Sequence, residues 1–395
     1  MIHILLYAFI LLQSGFCRTY DNQLPKPSGK YLTGVSYLAL TDSSRKELFD
    51  NDLKNYREMT MKVWYPADKA AISELYLEKP GELITNFGFA EIYKTLKTNS
   101  SRDIPVSSVM KAYPVLIFSH GWGEHFSQNT ILMEELASHG YIVFSLAHHF
   151  ESKFSVYPDG RLIIMNPASD RFKEFIKEQG NPEAIAIFEK MLKAANDTDR
   201  AAIFNETNRL MPKLMTGSPA YWADDIIFLI NELERINDSH GLFEGKLDLN
   251  RIGILGMSMG GIATNEVCIR DSRVKAGVNI DGALYGSAIS HPVRVPFLFI
   301  NSERYLGYGN LFTSRVNNYS YSVTVKNSSH YNFTDYALYP VQNLSQIGKI
   351  DPQIPIFLMN RLIVLFFDKY IRNSDNASLQ SVCNKYDVEY VSGAH

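Results

Sequence analysis

The chain has 395 residues, 46% of them hydrophobic, and a formal net charge of −3 at pH 7. That length can bury a large core and fits one large α/β domain with insertions better than two independent domains. No run of five or six like charges occurs, which argues against nucleic acid or a highly charged substrate as partner.

The stretch Ile2–Leu12 is almost entirely apolar and is broken by Gln13, Ser14 and Gly15 before Cys17 and Arg18. It is too short to span a bilayer comfortably and has the length of a signal-peptide h-region. Cleavage after Cys17 places Gly15 and Cys17 at the two positions a signal peptidase reads, although the first residues carry His3 and no Lys or Arg. The expectation is a signal peptide over 1–17, a secreted chain and one domain over 18–395. A lipid anchor on Cys17 fits less well, because Phe16 stands where such sites take a small residue. Cys268 and Cys383 then remain, too few for a disulfide framework. Asn99, Asn196, Asn205, Asn237, Asn318, Asn327, Asn332, Asn343 and Asn376 each begin an N-x-S/T triplet, weak support for a glycoprotein.

Val35–Leu40 and Met59–Tyr65 read as an opening antiparallel pair. Val115–Ser119, Ile142–Ala147, Ile252–Gly256, Val274–Ile280, Phe297–Asn301 and Ser322–Val325 follow as short apolar runs, the pattern of buried parallel strands. Between them Ser127–His139, Trp222–Ile236 and Gly260–Ile269 carry apolar residues at helical spacing. The alternation predicts a doubly wound, mostly parallel sheet. Phe154–Tyr221 exceeds that alternation: a hairpin turning at Tyr157-Pro158-Asp159-Gly160, then helices bearing Phe172, Phe175, Ile176, Ile185, Phe188, Met191 and Leu192. An insertion there sits near the carboxyl ends of the strands, either as a lid or as a packed helical decoration. Ile354–Phe367 is apolar but interrupted by Arg361, which predicts a buried final helix rather than a membrane span.

Arg251–Gly261 reads as strand, sharp turn and helix around Gly256-Met257-Ser258-Met259-Gly260. Such a turn lifts a serine hydroxyl above the sheet and needs Gly256 and Gly260 where backbones crowd. Ser258 is the expected nucleophile of a serine esterase on the α/β-hydrolase fold. The oxyanion of its tetrahedral intermediate needs N–H donors, and Met259 supplies one. His120-Gly121-Trp122-Gly123 follows the strand Val115–Ser119, so Trp122 is the other candidate and His120 is expected to shape the loop. In this fold the base comes late in the chain. His395 is the last residue and His291 precedes a strand, which leaves His330, just past Ser322–Val325. For the acid, Asp281 after Val274–Ile280 and Glu303 after Phe297–Asn301 both have geometric claims, with Asp281 only slightly ahead.

These residues resemble the platelet-activating factor acetylhydrolases of the plasma and intracellular type II group. The resemblance is carried by Ala112–Gly123, Leu136–Val143, Phe299-Ile300-Asn301-Ser302-Glu303 and His330-Tyr331-Asn332-Phe333, within roughly Met61 to Asn373. It implies a calcium-independent enzyme that removes short or oxidised acyl chains from the sn-2 position of phospholipids. It also implies Asp281 as the acid, Glu303 as a supporting residue and Trp122 as the second oxyanion donor. No cofactor or metal is implied, and the adjacent His148-His149 pair is expected to be structural. Ala147-His148-His149-Phe150-Glu151 departs from the group's acidic-His-Arg pattern, and the Phe154–Tyr221 insertion is longer. Leu83–Leu96 corresponds to a helix that docks on lipoprotein or membrane in the plasma enzymes; a buried helix face is an equal expectation here. The alternatives are a general short-chain carboxylesterase or lipase, and, less favoured, a non-catalytic binding protein on the same fold.

Overall fold

The computed structural model describes residues 22–49, 55–179, 182–210, 213–284, 286–339, 341, 346–374 and 377–393. The expected signal peptide, the sequons at Asn343 and Asn376, and His395 lie outside the described residues.

The strands are β1 (Leu32–Lys46), β2 (Tyr56–Ala67), β3 (Ser73–Leu75), β4 (Lys97–Arg102), β5 (Tyr113–Ser119), β6 (Ile142–His148), β7 (Phe154–Val156), β8 (Leu162–Ile164), β9 (Leu247–Met257), β10 (Val274–Ile280), β11 (Phe297–Ser302), β12 (Ser320–Val325) and β13 (Val388–Gly393). The helices are α1 (Pro80–Phe87), α2 (Thr130–Ser138), α3 (Asp170–Gln179), α4 (Pro182–Lys193), α5 (Asp197–Leu210), α6 (Lys213–Asp238), α7 (Met259–Arg270), α8 (Gly309–Thr313), α9 (Gln353–Arg372) and α10 (Leu379–Cys383). One sheet runs in the order β13-β12-β11-β10-β9-β5-β6-β2-β1-β4-β3. From β6 to β12 neighbouring strands are parallel. The opening pair β1–β2 is antiparallel, as its alternation predicts.

The central strands are apolar without interruption because helices cover both faces. Val115, Ile117 and Ile254 meet Trp222, Ile226, Leu229 and Leu233 of α6 and Ile262 and Val267 of α7. The intervening Leu116, Phe118 and Leu255 meet Leu132 and Leu136 of α2 and Leu362, Ile363, Phe366 and Phe367 of α9. Strand period two sends neighbours to opposite cores. The predicted final helix is α9, buried along most of its length. Among the strands of the large sheet, three were not foreseen: β3 and β4, which are polar and short, and β13, which pairs antiparallel with β12 at the far edge.

The chain passes from β5 to β6 on one side, then crosses back to place β9 on the other side of β5. That reversal leaves a crevice at the carboxyl ends of β5 and β9, the usual place for a ligand in a doubly wound sheet. Register aligns these ends: Ser119 pairs with Gly256, Met257 with Ile280, Ile280 with Ile300, and Ser302 with Val325. The Phe154–Tyr221 segment opens with the expected hairpin, β7 against β8, closed by a bond from Gly160 N–H to Tyr157 O (2.9 Å). The side chains of Phe175, Ile185, Phe188, Met191 and Leu192 lie outside the described residues. Leu83, Phe89, Tyr93 and Leu96 are buried, in a satellite core with Phe154 and Tyr336, so the apolar face of the Leu83–Leu96 segment turns inward.

Behind the crevice lies a buried charge network. Arg57 on β2 donates to Asp225 of α6 (2.6 and 3.1 Å), to Glu47 (2.7 Å) and to the His149 carbonyl (3.2 Å). The Nδ1–H of His148 donates to Asp225 Oδ2 (2.8 Å), its Nε2 lies 2.9 Å from Ser119 Oγ, and its ring stacks on Trp222 at 3.9 Å. Burial holds His148 down at about 4 and His149 at about 3, so both rings are neutral near pH 7. The expectation of a structural histidine pair agrees with this packing. Replacing Arg57 with Met leaves Asp225 buried with Arg45 as its remaining full charge partner. Arg57→Met is expected to cost about 3–5 kcal/mol, read as a lowered urea midpoint at an unchanged slope.

Candidate active site

Ser258 is the single residue between the end of β9 and the start of α7, with φ 56° and ψ −118°. A non-glycine residue there is strained, and the surrounding contacts hold it. Its N–H donates to Ile280 O (2.8 Å), and its carbonyl accepts from Ile262 N–H (3.1 Å). The glycines follow from close backbone approach. A Cβ on Gly256 would lie 2.2 Å from Gly260 O, and one on Gly260 would lie 2.0 Å from Ser119 O. The elbow is therefore pressed against the end of β5 itself, not only against its own turn. A Cβ on Gly121 would lie 3.4 Å from Ser258 Cβ, so the loop after β5 runs beside the serine.

The loop after β10 and the turn after β12 bring Asp281 and His330 together. The His330 Nδ1–H donates to Asp281 Oδ2 at 2.5 Å, which orients the ring and leaves Nε2 as the basic nitrogen. Asp281 is fully buried at φ 50°. Its N–H donates to Ile300 O (2.7 Å), and its Oδ1 accepts from Ser302 N–H (2.7 Å). Burial opposes the charge of this carboxylate, but Arg304 and the bond from His330 outweigh it and hold the group below the usual carboxylate range. His330 opens a short turn braced by Asn332, whose Oδ1 accepts from Ser329 N–H (2.8 Å) and Gly348 N–H (2.7 Å). Asn332 is buried, so its sequon has no room for a glycan. The Ser258 hydroxyl makes no hydrogen bond among the described residues; such bonds often tighten only around substrate.

The other candidates separate. His291 is exposed and bonds its own neighbour Ser290 (3.0 Å). Glu303 is exposed, and no hydrogen bond from its side chain ties it to Asp281 or His330. The next residue, Arg304, turns in instead, with Nη2 2.8 Å from Asp281 Oδ2 and 3.1 Å from His330 Nδ1. Residue spacing could place a side chain after β11 near the acid, but not say which of two neighbours it is.

His120 is buried, and its Nδ1 lies 2.6 Å from Gly121 O. Its Nε2 accepts from His148 N–H (3.3 Å) and meets Ser152 Oγ (2.7 Å), so the proton sits on Nδ1 and is donated to the Gly121 carbonyl. Burial pushes this ring down to about 3, so it stays neutral. In a planar trans peptide the Gly121 C=O and the Trp122 N–H point in opposite directions. Fixing the carbonyl toward His120 therefore turns the Trp122 N–H away from it. Gly121 N–H is held by Gln128 Oε1 (2.9 Å), and Gly123, at φ 71°, donates to Glu151 O (2.9 Å). The Met259 N–H belongs to the first turn of α7, where no intrahelical acceptor exists. The Trp122 ring stacks on Phe172 of α3 (6.0 Å, 20°), which brings the inserted helices to the rim of the crevice.

The family model for platelet-activating factor acetylhydrolase, isoform II, matches residues 17–389. The platelet-activating factor acetylhydrolase of Cavia porcellus is 25% identical over 374 residues, covering 88% of this chain and 78% of that protein. That of Canis lupus familiaris is 24% identical over 382 residues, covering 89% and 78%. A probable 1-alkyl-2-acetylglycerophosphocholine esterase of Arthroderma benhamiae is 22% identical over 291 residues, covering 68% and 60%. Among solved structures, a ferulic acid esterase from Streptomyces cinnamoneus superposes with a TM-score of 0.67 at 20% identity, covering 93% of this chain and 99% of that one. That likeness speaks for the fold alone. With the family model spanning nearly the whole chain, this protein belongs to the platelet-activating factor acetylhydrolase family and has the α/β-hydrolase fold.

Proposed function

We propose that this carboxylic ester hydrolase removes the short or oxidised sn-2 acyl chain of phospholipids such as platelet-activating factor, without calcium, through an acyl-enzyme on Ser258. The observation that carries the reading is the 2.5 Å bond from His330 to Asp281 beside a serine held at φ 56° between a buried strand and a helix. His330 Nε2 takes the Ser258 proton as Oγ attacks the ester carbonyl, and Asp281 stabilises the imidazolium. Met259 and Trp122 N–H groups receive the oxyanion. The lysophospholipid leaves as an alcohol protonated by His330, and water, deprotonated by the same imidazole, then releases the acid and restores Ser258.

The same reading takes 18–395 as one domain, because the eleven-stranded sheet draws on strands from Leu32 to Gly393. Removal of residues 1–17 would deliver a secreted glycoprotein, and no helix among the described residues is long and apolar enough to cross a membrane. Peripheral contact with a membrane or lipoprotein surface, if made, uses residues other than the buried Leu83, Phe89, Tyr93 and Leu96.

Ser258→Ala is expected to abolish hydrolysis and fluorophosphonate labelling while leaving the circular dichroism spectrum and thermal midpoint unchanged. Labelling of the folded variant at another serine would displace the assignment. Asp281→Asn is expected to lower kcat by on the order of 10³–10⁴, whereas Glu303→Gln, exposed and unbonded to the pair, is expected to stay within about twofold. His120→Leu removes the donor that turns the Gly121–Trp122 peptide. It is expected to lower kcat by roughly 10²–10³, as the loss of an oxyanion donor does, with KM nearly constant and partial recovery in His120→Asn. For the substrate, turnover of 2-acetyl phospholipid against long-chain phospholipid and p-nitrophenyl acetate is the deciding comparison. Equal preference for the simple ester would return the protein to a general esterase.

A further inference from the structure

Arg304 was not anticipated from the sequence, and its geometry is specific. Its Nη2 lies 2.8 Å from the Asp281 main-chain carbonyl and 2.8 Å from Asp281 Oδ2. One guanidinium nitrogen thus holds the same residue twice, by a hydrogen bond to its backbone carbonyl and by an ion pair with its carboxylate. With the N–H bonded to Ile300 O and Oδ1 to Ser302 N–H, every polar atom of Asp281 is then held. This matters because Asp281 stands at φ 50°, a left-handed conformation that a side chain disfavours. Arg304 is only partly covered, at 27% side-chain exposure, and its guanidinium lies 4.8 Å from the Tyr305 ring centroid.

We propose that Arg304 is a positioning residue for the Asp281–His330 pair: its nitrogen clamps the carboxylate to the main chain, and its positive charge, 3.1 Å from the imidazole, extends activity to lower pH. The inference rests on the reading of Ser258, His330 and Asp281 as the triad. Three groups set the charge around His330. Asp281 faces it from the loop after β10, and Arg304 from the turn after β11. Tyr331 adjoins it at 5.4 Å between ring centroids; the tyrosine hydroxyl donates to Glu124 Oε1 (3.2 Å), itself paired with Lys153 (3.4 Å). Asp281 favours the imidazolium, and Arg304, nearer than any other cation in that set, opposes it. The imidazole must be unprotonated to accept the serine proton. Removing the positive charge lets it hold a proton to higher pH, so the acid limb of the activity profile moves up.

Three substitutions separate the clamp from the charge. Arg304→Lys keeps the charge, Arg304→Gln keeps an NH₂ group without charge, and Arg304→Met keeps neither. In Arg304→Met, kcat is expected to fall about tenfold or more with KM within about twofold, and the acid limb of kcat/KM to rise by about half a pH unit or more. Arg304→Gln should shift the limb as Met does but retain more kcat, and Arg304→Lys should leave the limb in place. Wild-type kcat and acid limb in all three would overturn the proposal. So would losses that only follow the folded fraction measured by thermal unfolding. Ser258→Ala and Asp281→Asn run beside them: if either retains activity, the triad reading itself has failed, whereas their inactivity with inert Arg304 variants refutes the Arg304 role alone.

Discussion

The site depends on one close approach. The start of α7 is pressed so tightly on the end of β5 that a Cβ on Gly260 would meet the Ser119 carbonyl oxygen at 2.0 Å. Nothing larger than glycine fits, because backbone atoms cannot step aside as the end of a side chain can. The approach puts the Ser258 turn and the loop after β5 into contact, so Ser258 and the loop that carries Trp122 share one crevice. The sheet topology makes this contact available, since β5 and β9 are neighbours whose connections leave in opposite directions.

Two buried carboxylates around the crevice, Asp225 and Asp281, have their charge partners built in. Asp225 is held by Arg57, Arg45 and His148, and Asp281 by Arg304, His330 and the Ser302 N–H. Both carboxylates lie below the ordinary range despite burial, because opposite charge and hydrogen bonds outweigh desolvation. The histidines divide by the same logic. His120 and His148 are kept neutral by burial and act as fixed donors and acceptors. His330, by contrast, keeps 13% of its side chain exposed.

Much of this was legible in the chain. The strand β10 falls where the apolar run Val274–Ile280 predicts it, and β5, β6, β9, β11 and β12 contain their predicted cores. Apolar runs of this kind are conspicuous because helices bury both strand faces. Polar β3 and β4 and the edge strand β13 carried no such signal, since half-covered edge strands need no continuous apolar run. The apolar spacing of Leu83–Leu96 allowed a docking face or a buried one, and periodicity cannot distinguish lipid from protein as its cover.

By itself the sequence determined the elbow at Ser258 and the loop around Trp122, because both are local: a strand, a turn and the glycines between them occupy consecutive residues. It also narrowed the proposed base to His330, since only a late loop in this chain order is expected at the site. What only the tertiary structure decided is the set of partners drawn from distant segments. The pairing of Arg304 rather than Glu303 with Asp281, the brace of Asn332, and the chain from Asp225 through His148 to Ser119 all arise where loops from different strands meet. Those meetings depend on sheet register and backbone direction, which neighbouring residues do not encode.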